Sequence, residues 1–126
     1  MNITIKTKNI ELTEALESFI NKKIGGLKKF FSSFENHRLP MAEGRSLFDT
    51  FVEIGKENNH HRKCDVFMAE AKIYMPGKSI FAKTHGEDMI KIINELRDEM
   101  ESEIRRYKSK VIEFPRRRAK QKKQEI

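Results

Sequence analysis

The residues of this sequence with the clearest chemical capacity are its cations. Lys22, Lys23, Lys28 and Lys29 fall inside one helical pattern, and Lys22 and Lys29, two turns apart, share a face. Arg105, Arg106, Lys108 and Lys110 crowd the end of a second pattern. Arg116, Arg117, Arg118, Lys120, Lys122 and Lys123 load the segment that follows. Cations grouped in this way bind a polyanion by displacing the counterions around each phosphate. The competing reading is a solvated surface whose C-terminal members merely complement a helix dipole. For the lysines of the first pattern alone, the two readings weigh equally. For the whole set the sign asymmetry decides: residues 1–104 mix both charges, whereas Arg105 onward is dominated by Lys and Arg. The expected partner is a nucleic acid, and composition does not choose between RNA and DNA.

Other chemistries find less support. His60, His61 and Cys64 are close in sequence, and His37 and His85 could join them in space. A structural zinc site, however, needs four ligands, usually in closely spaced pairs, and neither CxxC nor HExxH occurs. Cys64 with a nearby histidine lacks any sign of a third orienting group or an oxyanion hole, and reads better as a small, semi-buried residue. The carboxylates are scattered along helical patterns beside Lys and Arg, as in salt-bridge lacing. Gly25-Gly26 lies within a helical pattern, not between a strand and a helix, so it is not a phosphate loop. The expectation is a protein that is not an enzyme and uses no metal, cofactor or small-molecule substrate. A metal-dependent enzyme centred on His60, His61 and Cys64 is the alternative from another class, and stoichiometric zinc would revive it. Phe51, Phe67 and Phe81 invite comparison with an RNA-stacking sheet of the RRM type. That order ends in a strand, whereas this chain ends in a helical pattern. Phe67 falls on the apolar side of its strand, which suits core packing, while Phe51 and Phe81 suit an open sheet face.

The elements that must position the cations can be read from periodicity. A chain of 126 residues has the size of one domain, and 37% hydrophobic content suffices for one core. Charged residues make up 36%, above the roughly 25% of ordinary domains, and the net charge is +7. Cys64 is the only cysteine, so no intramolecular disulfide is possible. With no signal-peptide pattern at the N-terminus and no apolar run of membrane-spanning length, the expected compartment is the cytoplasm.

Asn2 to Thr7 alternates with period two, as a strand with one buried face does. Leu12, Leu16, Phe19, Ile20, Leu27, Phe30 and Phe34 then recur at helical steps, with Thr13 as N-cap and Glu14 and Glu17 near the positive end of the dipole. Gly25-Gly26 weakens this helix by about 1 kcal/mol per glycine, so a kink or a close backbone approach is expected there. Residues 35–48 lack periodicity and read as a loop. Asp49 to Lys56 alternates again, with Thr50, Val52 and Ile54 on one face. Cys64 to Met75 is the clearest strand, Pro76-Gly77 a tight turn, and Ser79 to Thr84 the partner strand of a hairpin. Met89, Ile93, Leu96, Met100, Ile104 and Tyr107 form a second helical stripe, with Glu101 and Arg105 paired four apart. The order strand, helix, three strands, helix predicts an α+β two-layer sandwich. It would have a four-stranded sheet with both helices on one face, the later strands forming an antiparallel meander and the first helix a right-handed crossover.

These residues also resemble a known family. Ile10-Glu11-Leu12-Thr13-Glu14-Ala15-Leu16-Glu17-Ser18-Phe19-Ile20, continuing to Leu27-Lys28-Lys29-Phe30-Phe31, is similar to the first helix of the ribosome hibernation-promoting factor and ribosome-associated inhibitor family. The likeness resumes at His60-His61-Arg62-Lys63-Cys64-Asp65-Val66-Phe67-Met68-Ala69-Glu70. It continues through Pro76-Gly77-Lys78 and His85-Gly86-Glu87-Asp88-Met89 to Ile104-Arg105-Arg106-Tyr107-Lys108-Ser109-Lys110. The resemblance implies a β-α-β-β-β-α fold similar to double-stranded-RNA-binding domains. It further implies a translation inhibitor of stress and stationary phase that occupies the messenger- and transfer-RNA channel of the small ribosomal subunit and preserves idle ribosomes. The implied contacts to ribosomal RNA are Lys22, Lys23, Lys28, Lys29, Lys91, Arg105, Arg106, Lys108 and Lys110, with Lys83 at the end of its strand. Residues 1–111 would be the ribosome-binding domain, monomeric off the ribosome, and residues 112–126 a basic disordered tail. The tail would reach into the messenger path or add non-specific RNA affinity. Residues 35–48 look longer than the family's usual connection, and the chain reads as a short form without the further domain of long members. A general structured-RNA-binding module acting away from the ribosome is the alternative reading.

Overall fold

A computed structural model describes residues 2–31, 48–57, 66–75 and 77–110. The order is β1 (Ile3–Lys8), α1 (Glu14–Gly25), a 3-10 turn (Gly26–Phe30), β2 (Thr50–Glu57), β3 (Val66–Met75), β4 (Lys78–Gly86) and α2 (Met89–Lys108). This is the predicted β-α-β-β-β-α succession. The strands form one sheet in the order β1-β2-β3-β4. β1 lies parallel to β2, from Ile3 opposite Thr50 to Lys8 opposite Gly55, while β2, β3 and β4 make the expected antiparallel meander.

Local chemistry explains where the helices begin. Thr13 Oγ1 accepts from the Leu16 N–H at 3.2 Å, which satisfies one of the free donors of α1. Asp88 Oδ1 does the same for α2, accepting from Ile90 N–H at 3.0 Å and Lys91 N–H at 3.4 Å. The irregularity expected at Gly25-Gly26 is a change of helix type, from α to 3-10. A Cβ at Gly26 would meet nothing within 4 Å, so that glycine weakens the helix through backbone freedom and not through close approach.

Alternation sends Val52 and Ile54 of β2, Ala69, Ala71 and Ile73 of β3, and Ile80 and Ala82 of β4 to one side of the sheet. There they meet Ile20, Ile24 and Leu27 from the α1 side and Ile93, Leu96, Met100 and Ile104 of α2. α2 rests on β3 and β4, while α1 lies against β1 and α2, so both helices share that face. The alanines keep the centre of the sheet shallow under α2. Thr84, buried on β4, donates its hydroxyl to the Ile92 carbonyl at 2.9 Å and ties strand to helix.

Phe48 adds something the sequence reading lacks. It lies in a turn at the end of the segment read as a loop, and there it is buried and stacks on Phe31 with ring centroids 4.2 Å apart and planes 2° from parallel. Its N–H donates to the Tyr74 carbonyl at 2.9 Å, and it adopts a φ of 66°. A left-handed phenylalanine costs about 1–2 kcal/mol, which the buried ring contact offsets. A single aromatic at the end of an aperiodic segment carries no pattern, so periodicity could not detect it. The rest of the predicted loop, and Cys64, Pro76 and Phe34, lie outside the described residues.

Candidate nucleic-acid interface

The topology decides where the basic residues meet. β1 and β2 run parallel, so α1, which connects them, returns in the opposite sense. β4 runs with β2 after two antiparallel pairings, and α2 leaves from its end. Both helices therefore descend in the same sense and end at the same pole of the molecule. Each helix carries most of its cations in the last turn or just beyond it: Lys22 and Lys23, then Lys28 and Lys29 on the 3-10 turn, and Arg105, Arg106 and Lys108, then Lys110. Eight of the ten predicted contact residues thus gather at one pole, where the negative ends of both helix dipoles also point.

Phe30 is the joint between the two groups. Lys29 Nζ lies 5.2 Å from its ring centroid and the Arg105 guanidinium 5.6 Å from it, so one half-buried ring touches a cation from each helical segment. Lys23 Nζ stands 5.7 Å from the Phe19 ring in the same manner. These rings hold the cations near one another without neutralising them.

The arginines are oriented by carboxylates on their own helix. Arg105 Nη2 donates to Glu101 Oε1 at 2.9 Å, the predicted pair, and Glu101 Oε2 accepts from Arg97 Nη1 at 2.7 Å. Arg106 Nη1 donates to Glu103 Oε1 at 3.0 Å. Both guanidiniums are two-thirds exposed in these pairs. Exposed pairs contribute well under about 1 kcal/mol, so they aim the guanidiniums without competing seriously with a phosphate. Toward the middle of α2 the charge changes sign: Asp98, Glu99 and Glu103 line a groove beside Phe81 of β4, which Arg106 closes at the basic end. The surface potential therefore falls from the basic pole toward those carboxylates. Among the titrating groups of the pole, Tyr107 has its pKa raised above 10.0 by burial.

Two predicted residues stand apart. Lys91 lies in the first turn of α2, about 20 Å along the helix from Arg105 at 1.5 Å per residue. Lys83 is exposed on the sheet face that the helices leave open, opposite Glu70 in register. Conversely, Lys78, exposed at the start of β4, belongs at the basic pole by chain direction and was not among the predicted contacts. Its place after the Pro76-Gly77 turn was the available signal, since a hairpin tip must lie at one end of the sheet. His37, His60, His61 and Cys64 lie outside the described residues. His85 instead meets Glu57, Nε2 to Oε1, at 3.2 Å across the top of the sheet.

Comparison with known proteins places this geometry among relatives. The chain is 30% identical over 111 residues to the Ribosome hibernation promotion factor of Bacillus subtilis (strain 168), an overlap covering 88% of this chain. That overlap is 50% of the Bacillus protein, so the chain spans about half the length of that relative. It is 25% identical over 111 residues to the Ribosome hibernation promoting factor of Salmonella typhimurium, covering 88% of this chain and 97% of that protein. Two solved structures share the fold. The Thermus thermophilus Protein Y N-terminal domain superposes with a TM-score of 0.59 at 18% identity, over 85% of this chain and 99% of that one. A ribosomal subunit interface protein from Coxiella burnetii gives 0.59 at 19% identity, over 86% and 99%. Residues 3–112, which include every strand and helix described above, match one family throughout, and the chain belongs to the Sigma 54 modulation protein / S30EA ribosomal protein family.

Proposed function

We propose that this chain is a ribosome hibernation factor. It binds ribosomal RNA of the small subunit within the messenger- and transfer-RNA channel, blocks translation by occupying it, and preserves idle ribosomes in the cytoplasm. It uses no catalytic step and is a monomer off the ribosome. The observation that carries this reading is the convergence of two helix C-termini, with their exposed lysines and arginines, on one pole. Such a pole fits a crevice walled by phosphate backbones, because cations from two segments can neutralise strands on different sides. The names of the Bacillus and Salmonella relatives support the ribosome as the partner. Lys91 and Lys83 contribute from outside the pole, and residues 112–126 add RNA affinity.

Sedimentation with purified small subunits and whole ribosomes tests the reading. The chain should co-sediment at low salt and be released as salt rises. Arg105→Glu, Arg106→Glu and Lys108→Glu combined should abolish co-sedimentation and relieve inhibition of a cell-free translation reaction, with the circular dichroism spectrum unchanged. Retained binding in that variant would move the interface elsewhere. Failure of the unaltered chain to sediment at low salt, or easy stripping by duplex RNA, would replace the ribosome with structured RNA in general.

A further inference from the structure

We infer that the helix-free face of the sheet is a second RNA-binding surface, a stacking platform for unpaired bases that carry an exocyclic amino group. Alternation places Thr4, Phe51, Lys72 and Phe81 in one row across all four strands on this face. Phe51 is 38% exposed and Phe81 55%, and they are two of the few large apolar side chains so exposed among the described residues. Isolated exposed apolar residues are ordinary, but these belong to a contiguous group. Tyr74, one row away, meets Phe51 edge-on at 5.7 Å, and Lys72 Nζ lies 5.0 Å from the Tyr74 ring. The face is thus a lysine flanked by aromatic rings, the combination that holds single-stranded RNA: rings stack on bases while the cation takes a phosphate.

The neighbouring row gives the surface its selectivity. Lys6, Glu53, Glu70 and Lys83 succeed one another across the sheet, so two carboxylates stand directly opposite each other at its centre. Like charges in that position are unfavourable for the sheet. Glu53, Glu70, Phe51, Lys72 and Phe81 all line one shallow groove of about 210 Å³. Carboxylates on the floor of an aromatic groove accept hydrogen bonds from the two-hydrogen amino group of cytosine or adenine, whereas uracil offers them a single imide N–H set between two carbonyls that repel a carboxylate. Lys6 and Lys83 at the ends of the row, and the chain's net charge of +7, favour a polyanion over a second copy of this basic protein. The inference does not depend on the ribosome reading, since the platform and the basic pole are on different parts of the surface.

Fluorescence anisotropy with short labelled oligocytidylate and oligouridylate, at low salt, tests it on the full chain. Oligocytidylate should bind more tightly than oligouridylate. Phe51→Ala with Phe81→Ala should weaken oligocytidylate at least about tenfold, while Phe51→Tyr with Phe81→Tyr should keep most of the affinity. Amide shifts on adding oligocytidylate to the unaltered chain should appear at Phe51, Lys72 and Phe81, a readout that needs no variant to fold. The Arg105→Glu, Arg106→Glu, Lys108→Glu variant should keep the cytosine preference even where it loses the ribosome. Equal binding of the two oligonucleotides, shifts confined to the basic pole, or unchanged affinity in the alanine variant would overturn the inference. So would self-association that the alanine variant abolishes while RNA binding persists.

Discussion

Tyr107 sits in the last turn of α2, buried in the core between Arg106 and Lys108, which reach the surface around it. Burial disfavours its phenolate and raises its pKa above the ordinary 10.0. The unfolded chain therefore loses this proton first. The stability contributed is fully present below pH 10 and is lost as pH rises through the higher folded value. Thermal melts on both sides of pH 10 should show an alkaline decline that is shallower in Tyr107→Phe. Gly55 makes a different demand. An added Cβ there would lie 2.8 Å from the Lys8 carbonyl oxygen and 3.1 Å from Lys8 Cβ, so Gly55→Ala must push β1 away from β2. A loss of about 1–3 kcal/mol is expected in urea denaturation. No local pattern warns of it, because Gly55 falls within an alternating run and its neighbour across the sheet is 47 residues away. The cations were legible one by one from residue type. Their pairing was legible only for Arg105 with Glu101, four apart on one helix.

At the scale of the element, helices and strands were largely written in local pattern. Thr13 was identifiable as an N-cap because a hydroxyl before a helical stripe has one obvious use. Asp88 caps the longer helix through two N–H groups, and Asp88→Ala should cost about 1 kcal/mol in thermal or chemical denaturation, with Asp88→Asn costing less. The apolar stripe of α2 was equally clear, and Leu96→Ala should destabilise by about 2–5 kcal/mol because its side chain is wholly enclosed. What local pattern missed was the passage from α to 3-10 geometry after Gly25. The same apolar residues satisfy either helix over one turn. Strand ends also moved by a residue or two, since hydrogen bonding to a neighbour, not alternation, sets where a strand stops.

Across the whole molecule, the proposed use of the basic pole predicts RNA binding that depends steeply on salt. Each phosphate neutralised should contribute a slope of about −0.7 to −0.9 to a plot of log affinity against log salt. The triple Glu variant should flatten that slope by two to three such increments, whereas Phe51→Ala with Phe81→Ala should lower affinity and leave the slope unchanged. Titrating binding at several salt concentrations separates the two surfaces. By itself the sequence determined the element order, the two-layer class, the excess of positive charge and the identity of most of the cations. All of these rest on spacing along the chain, where a period of two or of 3.6 is visible in residue types. Only the tertiary structure decided which cations act together. The parallel placement of β1 beside β2 makes both helices run the same way, which brings residues 22–30 and 105–110 to one pole. It leaves Lys91 at the other and Lys83 on the open face among Phe51, Lys72 and Phe81. Such proximity is fixed by pairing between segments far apart in sequence, and no local pattern carries that information.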